Sequence, residues 1–198
     1  MNEQPWMSWI TELRARLSSP APQRLPPDDA RRTAVMVPLY VNAGELWALL
    51  AKHSDALPHH QGQIVFPGGR LEAGEDAWTA ALREAREEVG VEPRAVLRLG
   101  ELDEEQTPSG VRVVPCVGAV AYPLRTRINR REIAELLPIP VRAFANPQLV
   151  EERMVRLDGR EHLTRIYHVA GRQVWGLTAR IVYNLLVRLG LEPDGPAN

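Results

Sequence analysis

Residues 69–91 read GRLEAGEDAWTAALREAREEVGV, and the fold follows from how that stretch coils. On a helix advancing about 100° per residue, Glu84, Glu87 and Glu88 fall within roughly a 100° arc, each a neighbour of another three or four positions away. Trp78, Ala81, Leu82, Ala85 and Val89 occupy a different arc, so one helix presents an apolar face to a core and an acidic face to something else. Like charges at this spacing cost an isolated helix about 0.2–0.5 kcal/mol per pair, and a bound cation reverses the sign. Hard divalent ions such as Mg²⁺ combine a few carboxylates with water and substrate phosphates, so the pattern points to phosphate-directed metal chemistry.

A bare Glu-x-x-Glu-Glu run is more often a solvated face, here paired with Arg83 and Arg86. The flanks argue otherwise. Phe66-Pro67-Gly68-Gly69 stands upstream, where paired glycines let the backbone turn sharply and approach a ligand or metal closely. Gly74-Glu75-Asp76 opens the helix with acids at its positive end, and Gly90 closes it.

With those residues in view, the segment resembles the 23-residue signature of the Nudix hydrolases, matching each of its fixed positions; Ala85 replaces the usual bulky aliphatic residue. The resemblance implies an α/β fold, an α/β/α sandwich with a mixed β-sheet. It also implies a diphosphate hydrolase in which Glu84, Glu87 and Glu88 ligate Mg²⁺ or Mn²⁺ near the Gly69 backbone, while Arg83 and Glu75 orient them. Members of the family place the general base either in this box or on a later loop. Glu132 and Glu135 are the candidates outside it, in Asn129–Leu137, a stretch whose pattern reads as a short amphipathic helix. Glu101, Glu104 and Glu105, at the end of a strand over Leu97–Leu102, are further acidic candidates.

The flanks narrow the substrate. Leu49–Ser54 followed by Gly62–Gly69 resembles the additional motif of the coenzyme A pyrophosphatase branch, with further agreement over Ser109–Pro115 and Trp175–Ala179. That branch implies cleavage of coenzyme A or its derivatives to 4′-phosphopantetheine and adenosine 3′,5′-bisphosphate. This chain has His53 and Pro58 where the branch carries arginines, which clamp phosphate in a way histidine matches poorly and proline not at all. Lys52, His53, His59, His60 and Arg70 are the candidate phosphate contacts near the mouth of the site. Val65, Phe66 and Trp175 are candidate lining residues, although aromatics in strands more often serve a core. ADP-ribose, dinucleotides or other nucleoside diphosphate derivatives are the alternative substrates, and a non-catalytic nucleotide-sensing domain is a further alternative.

Composition agrees with one catalytic body. The 198 residues, 44% hydrophobic, suffice for one sizeable core. A net charge of −1 with scattered arginines offers no footprint for nucleic acid or an anionic membrane. The single cysteine, Cys116, lies in an apolar run and suits a reducing cytoplasm, and neither a signal peptide nor a spanning segment is expected.

Trp6, Trp9, Ile10, Leu13 and Leu17 recur at helical spacing, so residues 1–33 read as an amphipathic helix and a proline-rich connector. The helix stripe must be covered by the body or by a second subunit in a homodimer. Residues 34–190 read as the catalytic domain and 191–198 as a flexible tail. Within the domain, strands are expected over Ala34–Tyr40 and Leu46–Ala51, joined by a hairpin turn, then Ile64–Phe66, Leu97–Leu102, Val111–Val120 and Met154–Leu157. The last of these turns through Asp158-Gly159 into Leu163–Val169, and a final helix covers Leu177–Leu189.

Overall fold

A computed structural model describes residues 4–26, 31–58, 61–157 and 160–192. In chain order the elements are α1 (Gln4–Ser18), β1 (Arg32–Asn42), β2 (Glu45–His53), β3 (Ile64–Val65), β4 (Gly68–Arg70), α2 (Ala77–Val89), β5 (Val96–Glu101), β6 (Glu105–Gln106), β7 (Arg112–Val120) and β8 (Ile133–Pro140). They continue with α3 (Val141–Phe144), β9 (Val150–Leu157), β10 (Arg160–Val169), β11 (Arg172–Val174) and α4 (Gly176–Leu189). The expected first and last helices and most expected strands are present. His59, His60, the Asp158-Gly159 turn and residues 193–198 lie outside the described residues, as do residues 27–30 of the connector.

An eight-stranded sheet runs β3-β2-β1-β7-β5, with β4, β6 and β8 paired alongside, and a second sheet runs β11-β10-β9. The large sheet is mixed because β1 and β7 run parallel while the other pairs are antiparallel. The β1–β2 hairpin closes tightly, with Asn42 opposite Glu45 and both intervening residues, Ala43 and Gly44, at positive φ, as a primed two-residue turn requires.

Beyond that turn the two strands part, and the gap is what builds the site. β2 leaves β1 after Ala48, and its Ala51 and Lys52 pair with Val65 and Ile64 of β3. β1 pairs at Thr33–Val35 with Gly68–Arg70 of β4. The Pro67 carbonyl takes the Met36 N–H at 2.8 Å, so the glycine-bearing loop is wedged into the split sheet.

Two cores lie on the two faces. Ala80, Ala81, Ala85 and Val89 of α2 pack with Met36, Leu49, Ala51 and Cys116. On the other face Ile10, Leu13 and Leu17 of α1 join Leu39, Leu50, Val117, Tyr167, Ile181 and Leu185. Ile10, Leu13 and Leu17 of the α1 stripe are therefore covered by their own chain, with Trp9 partly buried beside them. Among the described residues no helix is long and apolar enough to cross a membrane.

One expectation is overturned. Asn129–Leu137 is not a helix: a turn leads into β8, whose Glu135, Leu136 and Leu137 pair with Lys52, Ala51 and Leu50 of β2. Pro138 and Pro140 bar a helix from continuing there but are tolerated on an edge strand. The unpaired edge of β2 offers ladder hydrogen bonds that outweigh the helical periodicity.

Candidate active site

Asp76 caps the start of α2, accepting the Thr79 N–H at 2.7 Å. The helix ends at Gly90 in the left-handed conformation, φ 74°. A side chain there would also strike the backbone of Arg127. The acidic face is graded: Glu88 is 5% exposed, Glu84 is largely covered and Glu87 stands in solvent.

The wedged loop meets that face. The Gly68 N–H donates to Glu88 Oε2 at 3.1 Å, and a Cβ on Gly69 would overlap the Glu84 carboxylate. Arg83 gathers the remaining acids: Nε to Glu75 Oε1 at 2.9 Å, Nη1 to Glu84 Oε1 at 2.8 Å and to Glu87 Oε2 at 3.5 Å, and Nη2 to the Arg70 carbonyl at 2.9 Å. One guanidinium thus hydrogen-bonds three carboxylates, with Glu72 a fourth at 4.0 Å, and among the described residues no guanidinium pairs with Glu88.

The electrostatics follow. Hydrogen bonds from Arg83 hold Glu75 below the usual carboxylate range. Burial pushes Glu84 up in spite of Arg83. Glu88 is pushed up to about 8, first by burial and then by the charges of Glu84, Glu132 and Glu87, with only the Gly68 N–H opposing.

Glu132 reaches this group from the far side of the chain. Its turn hangs on the last carbonyls of α2, where Arg127 N–H donates to Val89 O at 2.9 Å and Asn129 N–H to Glu88 O at 2.8 Å. The Ser54 N–H holds the Glu132 carbonyl at 2.7 Å, and the Asn129 side-chain amide donates to Glu132 Oε1 at 2.8 Å. His53 pairs in register with Ile133, the residue after Glu132. Glu84, Glu87, Glu88, Glu132, Arg83 and Gly69 are brought together, and His53 lies at the end of β2 beside the Glu132 turn. Arg70 is exposed beside them, its carbonyl bound to Arg83.

Other expected residues are placed elsewhere. Phe66 is 3% exposed in the sheet core, so its ring fills space between strands and does not line a pocket. Lys52 pairs with Glu135 across the strands and lies 3.7 Å from Asp55. Glu135 is bound by Arg172 at 3.1 Å. Glu104 is buried against Arg112 at 2.6 Å, Glu105 is held by Arg180 at 2.8 Å and Glu101 by Arg24, so these acids tie the connector and α4 to the sheet. Val65 is partly buried, and Trp175 is 49% exposed at the start of α4.

The NUDIX domain family matches residues 30–141. The chain is 35% identical over 189 residues to an uncharacterized Nudix hydrolase, NudL, of Pectobacterium atrosepticum, covering 93% of this chain and 95% of that protein. This chain belongs to the Nudix hydrolase family. Solved structures share its fold: DR0079 from Deinococcus radiodurans (TM-score 0.51, 21% identity, 80% of this chain and 87% of the other) and a MutT/nudix family protein from Enterococcus faecalis (TM-score 0.51, 17% identity, 96% and 70%).

Nudix hydrolases generally use divalent metal ions such as Mg²⁺ or Mn²⁺, and the residues of this one suit such an ion. Its donors are hard carboxylate oxygens, the acids outnumber their cations, and the missing side chain of Gly69 keeps the space before Glu84 clear. Among the described residues no three acidic, histidine or cysteine side chains close into a finished cage.

The sequence reading missed Asn129. Its one sequence signal is its place three residues before Glu132, in a stretch whose periodicity suggests a helix.

Proposed function

We propose that this Nudix hydrolase cleaves the diphosphate of coenzyme A or its derivatives, giving 4′-phosphopantetheine and adenosine 3′,5′-bisphosphate. The observation that carries the reaction is the set of under-neutralised carboxylates on α2, with Glu88 buried beside the Gly68-Gly69 wedge. Glu84, Glu87 and Glu88 hold the metal. When bound, it neutralises phosphate oxygens and lowers the pKa of a water that attacks near neutral pH.

Glu132 accepts the proton that this water loses as its oxygen bonds to one phosphorus and the bridging P–O bond breaks. Arg83 and Glu75 keep the metal-facing carboxylates in place, and His53 and Arg70 meet the substrate phosphates. Coenzyme A as substrate is supported by the motif over Leu49–Ser54 and Gly62–Gly69, which forms the end of β2 and the β3–β4 wedge beside the glutamates.

A second reading, cleavage of ADP-ribose or a dinucleotide, is favoured by His53 and by the exposed Pro58 where the coenzyme A branch carries arginines. A substrate panel with Mg²⁺, Mn²⁺ or chelator separates the two. Coenzyme A is expected to be turned over fastest and only with metal; faster cleavage of ADP-ribose or a dinucleotide would select the second reading.

A further inference from the structure

Asn129 spends every polar group it has on the geometry around Glu132. Its N–H donates to the Glu88 carbonyl at 2.8 Å, and its own carbonyl accepts the N–H groups of Glu132 at 3.0 Å and Ile133 at 2.8 Å. Its side-chain oxygen accepts the Arg131 N–H at 3.2 Å, which leaves the amide NH₂ to donate to Glu132 Oε1 at 2.8 Å. The orientation of the amide is dictated, because the flipped form would set NH₂ against the Arg131 N–H and oxygen against a carboxylate.

Glu132 needs such a restraint. It faces the charges of Glu84 and Glu88, and like-charge repulsion drives an untethered carboxylate toward solvent. Its backbone is held by Ser54 and Asn129, and its side chain by the Asn129 amide. Because the Asn129 backbone is bonded to Glu88 itself, the same residue sets the distance between the metal-facing helix and the Glu132 carboxylate.

We infer that Asn129 is the positioning residue that aims the Glu132 carboxylate at the reacting water. This rests on the reading of Glu132 as proton acceptor. Asn129→Asp tests it well: aspartate keeps the oxygen for the Arg131 N–H, and so the turn, while replacing the donor to Glu132 with an acceptor.

With coenzyme A and Mg²⁺, or ADP-ribose if the panel selects it, kcat of Asn129→Asp is expected to fall about ten- to a hundredfold, the scale of a misplaced reacting group. KM, the Mg²⁺ concentration for half-maximal rate and the melting temperature should stay at wild-type values. In a Glu132→Gln background the same substitution should cost nothing further, because the group it positions is gone. Asn129→Ser, which also keeps a side-chain oxygen, serves should the aspartate variant fold poorly, and a fall in kcat alone is again expected.

A kcat within about twofold of wild type, or losses that multiply in the double variant, overturns the inference while leaving Glu132 as the acceptor. Full turnover by Glu132→Gln alone removes the reading on which it rests.

Discussion

Two acidic clusters flank the split sheet, and they differ in how their charge is answered. Around the connector, each acid has at least one arginine: Glu101 has Arg24, Glu104 has Arg112 with Arg24 and Arg32 further off, Glu105 has Arg180 and Asp103 has Arg188 at 2.5 Å. At α2, Glu84, Glu87 and the preceding Glu75 share Arg83, and Glu88 accepts one backbone N–H. Burial pushes Asp103 up, yet hydrogen bonds from Gln23, Asn184 and Arg188 bring it below the usual range. Burial pushes Glu88 the same way with little to oppose it. Paired acids hold a fold together; an acid left short of cations is kept ready for a ligand.

The contrast breaks most visibly at Arg112. Removing one partner of a buried pair strands the other charge, so Arg112→Ala should destabilise the protein by about 3–5 kcal/mol, the two side chains being only 7% and 5% exposed. Urea denaturation measures this, and turnover per folded molecule should be retained. Loss of activity in the folded fraction would mean that the connector cluster is part of the site.

Glu88→Gln should behave in the opposite way. Metal-dependent turnover is expected to drop on the order of a hundredfold or more, while metal-free stability holds near neutral pH and rises above about pH 8, where Glu88 would otherwise be a buried, unanswered charge. Unchanged turnover with normal folding would contradict the assignment of Glu88 as a metal ligand.

Gly69→Ala comes next in size. The new methyl displaces the flexible Glu84 carboxylate and no backbone, so thermal stability should change little while turnover falls roughly tenfold, the lower end for disturbing a group that orients a metal ligand. Steady-state rates across a Mg²⁺ titration will show whether metal affinity carries the loss.

The smallest effect is in pH. Glu88 binds its proton more tightly folded than unfolded, so metal-free protein loses stability as pH rises from the ordinary carboxylate range through about 8. Asp103 contributes stability present above its unfolded pKa and lost as pH falls through its lower folded one. Urea midpoints in chelator across pH should lose the alkaline decline in Glu88→Gln and part of the acid decline in Asp103→Asn. Added Mg²⁺ should also suppress the alkaline decline.

The acidic face, caps and apolar face of α2 were legible in residues 69–91 because helical periodicity is local and each feature lies within a few turns. The hairpin at Ala43-Gly44 was legible for the same reason. Phe66, just past the two-residue β3, took the core role that aromatics near strands more often serve: packing between the sheets buried it. Asn129–Leu137 turned out otherwise because its few apolar residues, Ile133, Ala134, Leu136 and Leu137, fit a helix or a strand equally well, and Pro138 directly after them is compatible with either.

By itself, then, the sequence determined the helix that carries Glu84, Glu87 and Glu88, its glycine loop and the chemistry those donors suit, since backbone geometry spaces residues three and four apart without help from the rest of the chain. Only the tertiary structure decided where β1 and β2 part, that Lys52 pairs with Glu135 and His53 with Ile133, and that Asn129 ties Glu132 to α2. Those depend on hydrogen bonds between segments far apart in the chain, which no local pattern encodes.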